Sequence, residues 1–321
     1  MTYEEFIEEW NSSAEYVEVQ TSGSTGRPKK MLVEKARMRE SANMTCDFLG
    51  LKAGDTALLC MSLDYIAGKM MAVRSIVRGL QLHVVTPSNC PMKGLDRSFD
   101  FAAMVPSQVY ESLKREKEAE LLRQTRHLII GGGAVSKDLE AQLRLFPNAV
   151  WSTYGMTETL SHIAMRRLNG ASASDWYVPM AGVGISDNAD GCLVIDAPHL
   201  CSGQLVTNDI AEINNGKFRI IGRRDNVICS GGIKIQIEEV ESLLREYLER
   251  PFAVARKKDA KFGEAVVLVT EQADTAAIER VCHDILPPYW RPKHYYHIEK
   301  IPMTGTGKIA RGDLEQWVGE L

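Results

Sequence analysis

The feature that most constrains the fold is an alternation of short apolar runs with longer amphipathic segments between residues 55 and 130. Each run is long enough for one buried strand, and the sequence predicts four of them, at 56–61, 82–85, 101–105 and 127–130. Helical periodicity predicts helices between these strands, over residues 67–77 and 107–123. Strands that alternate with helices of this length predict a mainly parallel sheet with helices on its faces.

The sequence changes in character twice beyond this region. From Gly170, glycine, proline and Asn/Asp separate short apolar runs such as 191–196 and 203–207, which is typical of antiparallel strands or a small barrel. After Gly222 the sequence predicts two helices and two strands, which together make an α+β unit of about 100 residues, large enough to fold alone. The helices are predicted over 238–248 and 275–286, and the strands over 252–256 and 264–270.

We therefore expect an α/β protein of two domains. Residues 1–222 would form a large N-terminal domain that has a mainly parallel sheet flanked by helices, plus a small antiparallel β subdomain. Residues 223–321 would form a small C-terminal α+β domain.

Composition argues against several classes of protein. The chain has 38 Lys and Arg against 42 Asp and Glu, a net charge of −4, whereas duplex nucleic-acid binders carry a basic excess. No uncharged apolar stretch approaches the roughly 18 residues of a membrane span, and the acidic N-terminus is unlike a signal peptide. Seven cysteines without a CxxC pair suit a reducing compartment. We expect a cytoplasmic enzyme for small molecules, with no nucleic-acid partner.

A run rich in glycine, hydroxyl groups and lysine occupies residues 21–30. Glycines let backbone N–H groups approach a phosphate, hydroxyls add donors, and lysines supply positive charge. The glycine spacing excludes a Walker A loop, and a solvated basic turn is the alternative interpretation. The candidate phosphate-binding residues are Thr21, Ser22, Gly23, Ser24, Thr25, Gly26 and Lys29.

Five further motifs follow this run in order. They are Gly131-Gly132-Gly133-Ala134, Tyr154-Gly155-Met156-Thr157-Glu158, Asp209, Gly222-Arg223-Arg224-Asp225, and the segment 302–308 that contains Lys308. In order and spacing, the six elements resemble those of the adenylate-forming enzymes: acyl-CoA synthetases, luciferases and peptide-synthetase adenylation domains. One departure is that only residues 1–20 precede the phosphate-binding run, where this family usually has a sizeable lobe.

The resemblance implies a role for each motif in the activation of a carboxylic acid by ATP. The run at residues 21–29 would hold the β- and γ-phosphates, and Thr157 would contact the α-phosphate. Glu158 would bind Mg²⁺, a hard cation that prefers oxygen ligands. Lys308 would bridge the acid and the α-phosphate as the catalytic lysine. The other nucleotide-binding residues would be Gly132, Gly133, Ala134, Tyr154, Gly155, Met156, Asp209 for the ribose, and Arg223.

The resemblance also implies a second half-reaction, in which CoA accepts the acyl group as a thioester. In this family the small domain is mobile and rotates between the two steps, and Asp225 matches the hinge position. Gly231 and Gly232 would admit the narrow pantetheine arm of CoA, where a side chain would block it. A simple β-turn is the alternative reading of the two glycines.

Two cations on the predicted helix 67–77 indicate which acid is activated. Lys69 and Arg74 lie on an otherwise apolar helix, and a buried cation is costly unless it is paired. A second carboxylate on the substrate would be such a partner, whereas solvent or Asp64 would serve if the two residues are only structural. This segment, together with residues 154–170, resembles the o-succinylbenzoate–CoA ligases of menaquinone biosynthesis, in which an arginine at the position of Arg74 binds the second carboxylate.

Two alternatives stay open at the level of the sequence. The enzyme could adenylate another aryl or acyl acid and load it onto CoA or onto the pantetheine of a carrier protein. The chain could instead be a non-catalytic nucleotide-binding protein, although Glu158, Asp209, Arg223 and Lys308 are all present. Whether the chain forms a homo-oligomer is also open.

Overall fold

The structure, a computed structural model, describes residues 1–20, 30–304 and 309–321. The chain begins with helix α1 (Tyr3–Asn11), strands β1 (Tyr16–Gln20) and β2 (Lys30–Glu34), and helix α2 (Lys35–Leu49). Strands β1 and β2 pair antiparallel, with Gln20 opposite Lys30. Helix α2 ends where Gly50 adopts a left-handed conformation (φ 64°), a common end for a helix because glycine has no Cβ penalty there.

A seven-stranded sheet forms the centre of the N-terminal region, in the order β4-β3-β5-β6-β7-β8-β9. Its strands are β3 (Thr56–Leu59), β4 (Gln81–Val84), β5 (Phe101–Met104), β6 (His127–Ile130), β7 (Ala149–Gly155), β8 (His162–Arg167) and β9 (Val178–Pro179). Strands β3 to β7 are parallel, and β8 and β9 are antiparallel additions at one edge. The mainly parallel sheet predicted from the sequence is confirmed.

The helices that connect these strands are α3 (Ile66–Arg78), α4 (Pro106–Leu113), α5 (Glu116–Gln124) and α6 (Lys137–Leu143). The single helix predicted over 107–123 is wrong, because the chain leaves helical geometry at Arg115 (φ −121°, ψ 118°). Glu116 and Glu118 follow in the first turn of α5, where negative charge interacts favourably with the helix dipole and supports a new N-terminus.

A four-stranded antiparallel sheet follows, with the order β10-β11-β12-β13. It contains β10 (Gly184–Asp187), β11 (Cys192–Asp196), β12 (Gln204–Asn214) and β13 (Lys217–Arg223), and so confirms the antiparallel β subdomain. The predicted boundary after residue 222 lies one residue before the end of β13, whose last pair is Asp209 with Arg223. The division into two domains at this point stays a prediction.

The C-terminal region is built on a five-stranded sheet of its own, in which β14 (Val227–Ser230) and β17 (Gly263–Thr270) are the inner strands. Its other elements are β15 (Ile233–Gln236), α7 (Ile237–Leu244), β16 (Phe252–Asp259), α8 (Thr275–Ile285), β18 (His294–His297) and α9 (Arg311–Gly319). Separate groups of buried side chains lie on its two faces. This arrangement of strands and helices agrees with the α+β unit expected from the sequence.

The cysteines are all free thiols, as expected for a chain without a disulfide framework. Cys46 and Cys60 are fully buried in the N-terminal region, and Cys282 is fully buried in the C-terminal core. Burial raises the pKa of the Cys60 thiol to about 12 and that of Cys282 to about 11. Within the described ranges, no helix combines the length and the apolar character needed to cross a lipid bilayer.

Helix α1 is held against α3 by a charge pair. The Lys69 ammonium, whose side chain is 3% exposed, lies 3.2 Å from Oε2 of Glu9. The same nitrogen lies 5.4 Å from the centre of the Phe6 ring, which is itself fully buried. The buried charge of Lys69 therefore depends on α1 for its counter-ion.

We expect Glu9→Ala to lower the free energy of unfolding by about 2 kcal/mol, because the mutation leaves the buried ammonium of Lys69 without its charged partner. Urea unfolding of the purified protein would measure the change. Glu8→Ala is the matched control, since Glu8 is exposed on the same helix and should change stability by less than about 0.5 kcal/mol. Equal losses in the two variants would contradict the dependence of Lys69 on Glu9.

Candidate active site

Two of the predicted nucleotide motifs meet at the carboxyl edge of the parallel sheet. Gly131 to Ala134 follow β6, and Tyr154 and Gly155 end the neighbouring strand β7. Gly131 lies so close to β7 that an added Cβ would be 2.4 Å from the Thr153 hydroxyl oxygen. The carboxyl ends of parallel strands are the usual ligand side of an open α/β sheet. The structure thus brings Gly132, Gly133 and Ala134 beside Tyr154, Gly155 and Met156.

The chain reverses direction directly after Gly155 and returns as β8. A Cβ on Gly155 would lie 2.3 Å from the carbonyl oxygen of Ser161 and 2.5 Å from Cα of His162, so only glycine fits there. Leu160 adopts positive φ (65°, ψ −42°), and the N–H of Ser161 donates to the carbonyl of Thr159 at 2.7 Å. This tight three-residue turn is a strained conformation for a non-glycine residue, and such strain is often found at functional sites.

Thr157 and Glu158 lie in this reversal, in a single helical turn over Thr157–Thr159. The hydroxyl of Thr159 braces the turn through hydrogen bonds with the N–H and the carbonyl of Met156, both 3.0 Å long. The Glu158 side chain is exposed and makes no ion pair with any residue that the structure describes. Such a carboxylate suits Mg²⁺, which typically binds through one or two carboxylates together with substrate phosphates. Within the described ranges, no group of three or more His, Cys, Asp or Glu could hold a metal ion by itself.

Asp209 on β12 is the centre of a network of polar side chains. Its Oδ2 accepts a hydrogen bond from the Tyr154 hydroxyl at 2.6 Å, and its Oδ1 accepts one from Nη1 of Arg223 at 3.1 Å. Burial, together with the negative charge of Asp209, raises the pKa of the Tyr154 phenol. Nη2 of Arg223 donates to Oδ2 of Asp225 at 2.9 Å. One arginine therefore joins the predicted ribose ligand to the predicted hinge residue.

The backbone on either side of Asp225 is held from the C-terminal region. Nε2 of Gln236 donates to the carbonyl of Arg223 at 2.9 Å, and Nη2 of Arg256 donates to the carbonyl of Asp225 at 2.5 Å. Gly222 makes room for the side chain of Gln236, because a Cβ at this position would lie 2.3 Å from Nε2 of Gln236. The hinge role of Asp225 stays a prediction.

Gly231 and Gly232 form the turn between β14 and β15, and both have positive φ (57° and 83°). A two-residue hairpin turn with positive φ at both central residues favours glycine strongly. The alternative reading as a β-turn is therefore sufficient to explain both glycines, and their contact with CoA stays a prediction.

Arg74 lies inside the N-terminal region, in a chain of hydrogen bonds that the sequence did not predict. Its Nη2 donates to the hydroxyl of Ser161, directly after the strained turn. The Ser161 hydroxyl lies 3.2 Å from Nδ1 of His162, and Nε2 of His162 lies 3.0 Å from the hydroxyl of Thr45. The Thr45 hydroxyl itself donates to the carbonyl of Ser41 at 3.1 Å.

The hydrogen bonds in this chain determine which ring nitrogen of His162 carries the proton. Thr45 uses its single hydroxyl hydrogen on Ser41, so it must accept from Nε2–H of His162. Nδ1 of His162 is then an acceptor for the Ser161 hydroxyl, which in turn accepts from Arg74. Burial, and next the positive charge of Arg74, hold the pKa of His162 well below its usual value, so the ring is neutral.

Arg74 has no carboxylate partner among the residues that the structure describes, although it is 3% exposed. Its Nε is buried without a hydrogen bond. Burial lowers the pKa of Arg74 to about 10, so the guanidinium remains charged at neutral pH. Lys69 differs, because Glu9 supplies its counter-ion, and its role as a substrate ligand stays a prediction that this ion pair does not favour.

The remaining predicted site residues, Thr21 to Gly26, Lys29 and Lys308, lie outside the described residues. Gln20, the last described residue before the first run, pairs in parallel with Tyr65, the residue before α3.

The comparisons with known proteins place the chain in a family. Residues 16–207, more than half of the chain, match the family of AMP-binding enzymes. A solved acyl-CoA synthetase (AMP-forming)/AMP-acid ligase II-like protein from Dyadobacter fermentans is 36% identical, with a TM-score of 0.67, and the match covers 98% of this chain and 93% of that one. The chain therefore belongs to the AMP-binding enzyme family, and its resemblance to adenylate-forming enzymes is confirmed.

Other relatives carry a more specific description. The 2-succinylbenzoate–CoA ligase of Listeria monocytogenes is 26% identical over 97% of this chain and 72% of its own length. That of Salmonella typhimurium is 27% identical over 94% of this chain and 68% of its own length. The o-succinylbenzoate CoA synthetase of Bacillus subtilis, solved with its acyl-adenylate intermediate, shares the fold at 22% identity, a TM-score of 0.75, and coverage of 92% and 68%.

We expect the stability of the protein to fall below pH 6.5 because His162 is buried as a neutral ring. Its pKa is lowered in the folded state, so the unfolded chain binds a proton first as the pH falls. The stability that His162 contributes is thus present above its unfolded pKa and is lost on acidification, by about 1.4 kcal/mol per pH unit. Urea unfolding between pH 7.5 and 5 would measure this slope in the wild type and in His162→Gln. If stability falls with pH equally in both proteins, His162 is not a buried neutral ring.

Proposed function

We propose that the protein is an ATP-dependent acid–CoA ligase that activates o-succinylbenzoate, an aromatic acid with two carboxylates. The observation that carries the choice of acid is the buried guanidinium of Arg74, which has a free Nε and no carboxylate partner in the described part of the chain. A buried cation without a counter-ion is costly. The substrate carboxylate that is not activated would supply that counter-ion, and the 2-succinylbenzoate–CoA ligases among the relatives support this choice.

The first half-reaction joins the acid to AMP, which requires positioning and charge stabilisation more than covalent chemistry from the protein. Asp209 would accept hydrogen bonds from the ribose hydroxyls. Its two oxygens already bind Tyr154 and Arg223, and each carboxylate oxygen has room for a second donor. Glu158 would hold Mg²⁺, which shields the phosphate charge when bound. Lys308 would stabilise the charge that develops between the acid and the α-phosphate.

The second half-reaction would transfer the acyl group to the thiol of CoA and release AMP. Asp225 would be the hinge about which the C-terminal region turns between the two steps, and the turn at Gly231 and Gly232 would then contact the pantetheine arm. Because ATP and CoA are cytoplasmic metabolites, we also place the proposed enzyme in the cytoplasm.

A second candidate keeps the adenylation step but changes the acid or the acceptor. The enzyme would then load another aryl or acyl acid onto CoA or onto the pantetheine of a carrier protein. Release of pyrophosphate, measured for a set of aromatic and aliphatic acids with and without CoA, separates these options. Adenylate without thioester favours a carrier protein, and no pyrophosphate with any acid favours a non-catalytic nucleotide-binding protein.

We expect Lys308→Ala to abolish formation of the acyl adenylate while thioester formation from a supplied adenylate is largely retained. The lysine would act only where charge develops on the α-phosphate, so its loss should remove that stabilisation alone. Pyrophosphate exchange measures the first step and thioester absorbance the second. Equal loss of both would argue against a lysine that serves one half-reaction.

We expect Arg74→Ala to lower kcat/KM for o-succinylbenzoate by roughly ten- to a hundredfold, the value of one charge-assisted hydrogen bond. The monocarboxylate 4-oxo-4-phenylbutyrate lacks the second carboxylate, so it should be a poor substrate that the mutation does not worsen.

Arg78→Ala is the matched control for this prediction, because Arg78 lies one turn further along α3 and pairs with Asp47 at the surface. It should leave both substrates unchanged. If Arg74→Ala reduces the two acids in equal proportion, the choice of a dicarboxylic acid fails, and the protein remains an acid–CoA ligase of other specificity.

A further inference from the structure

The described residues on either side of the segment 305–308 are joined to each other. Met303 forms an antiparallel bridge with Ile309, and the N–H of Ala310 donates to the carbonyl of Pro302 at 2.8 Å. Ile301 is 4% exposed, in the core beneath α9. Met303 and Ile309, which flank residues 305–308, are therefore joined to one another, and Ile301 ties the preceding chain to the C-terminal core.

A partly buried ion pair fixes the residue at which α9 begins. Nη2 of Arg311 donates to Oε2 of Glu241 at 2.8 Å, and Nη1 of Arg311 donates to the carbonyl of Val254 at 3.0 Å. Oε1 of Glu241 accepts from the N–H of Val254 at 2.9 Å. The two side chains thus satisfy both backbone polar groups of one residue on β16, an edge strand of the sheet.

Glu241 holds Arg311 in place because the helix that carries the carboxylate is packed in the core. The Glu241 side chain is 6% exposed and that of Arg311 is 22% exposed, so the carboxylate is the buried partner of the pair. Glu241 lies on α7, whose neighbouring residues Val240 and Leu244 are fully buried in the core. Because the helix cannot shift without disrupting that core, the carboxylate holds the start of α9 at a fixed place.

We propose that Glu241 and Arg311 are positioning residues for Lys308, which precedes Arg311 by three positions in the sequence. Their ion pair anchors the start of α9, three residues after the lysine, and the adenylation step would depend on that anchor. The inference rests on the proposed function, in which Lys308 serves the first half-reaction only. A misplacement of about 1 Å can cost a hundredfold in rate, so the anchor should matter for that step and not for thioester formation.

The test uses Arg311→Lys and Glu241→Gln in the full chain. Lysine keeps the charge but cannot reach Glu241 and Val254 together as the guanidinium fork does, and glutamine keeps the size of Glu241 while it removes the charge. We expect kcat for adenylation, measured by pyrophosphate exchange, to fall roughly ten- to a hundredfold. KM for ATP and for the acid should change less than about twofold, as should thioester formation from a supplied adenylate, because no substrate contact is lost.

Asp274→Ala is the matched control in the same region. Asp274 caps α8 by accepting the N–H of Ala277 at 3.1 Å. In the described part of the chain no hydrogen bond or ion pair joins its side chain to α7 or α9, so the variant reports on lost stability alone. The proposal is overturned if both test variants adenylate at the wild-type rate, or if both half-reactions fall together in step with the melting temperature. A wild type that forms no adenylate, or a Lys308→Ala variant that still forms it, would instead refute the proposed function.

Discussion

The close approach of Gly155 to Ser161 is the contact on which the arrangement of the site depends. Strands β3 to β7 run parallel, and the chain can reverse into β8 only because no Cβ separates Gly155 from the backbone of Ser161 and His162. The reversal exposes Glu158 on the outer side of the turn and directs Ser161 and His162 inward, towards Arg74. One backbone contact therefore separates the residues proposed for the nucleotide from those proposed for the acid.

Arg223 connects the proposed nucleotide-binding residue Asp209 to the proposed hinge residue Asp225. It lies between the carboxylates of Asp209 and Asp225 and compensates part of the negative charge of each. A nucleotide whose ribose hydroxyls donated to Asp209 would share that carboxylate with Arg223 and so weaken the attraction between Asp209 and the guanidinium. The occupancy of the site and the conformation at Asp225 would then be energetically linked, because both depend on the same guanidinium.

The sequence predicted the parallel sheet because short apolar runs and amphipathic helices have distinct periods. It did not predict α2, whose buried face carries Lys35, Ser41 and Thr45 among its apolar residues and so lacks a clear apolar stripe. Candidate site residues could be proposed from the sequence where they form a contiguous motif, as in residues 154–158. Thr45 could not be found in this way, because its contact with His162 joins two segments 117 residues apart. Ser161 and His162 did have a signal, since they follow the motif directly, but their role depends on Arg74 from another helix.

A buried thiol in each of the two regions makes it possible to measure how often that region's core opens. Cys60 lies in the N-terminal core and Cys282 in the C-terminal core, and both thiols are held in the unreactive protonated form by burial. An alkylating reagent would modify each one only when the surrounding core opens. The two modification rates, read separately by mass spectrometry, would therefore report how often each core opens in the native protein and whether a bound nucleotide slows one, the other or both.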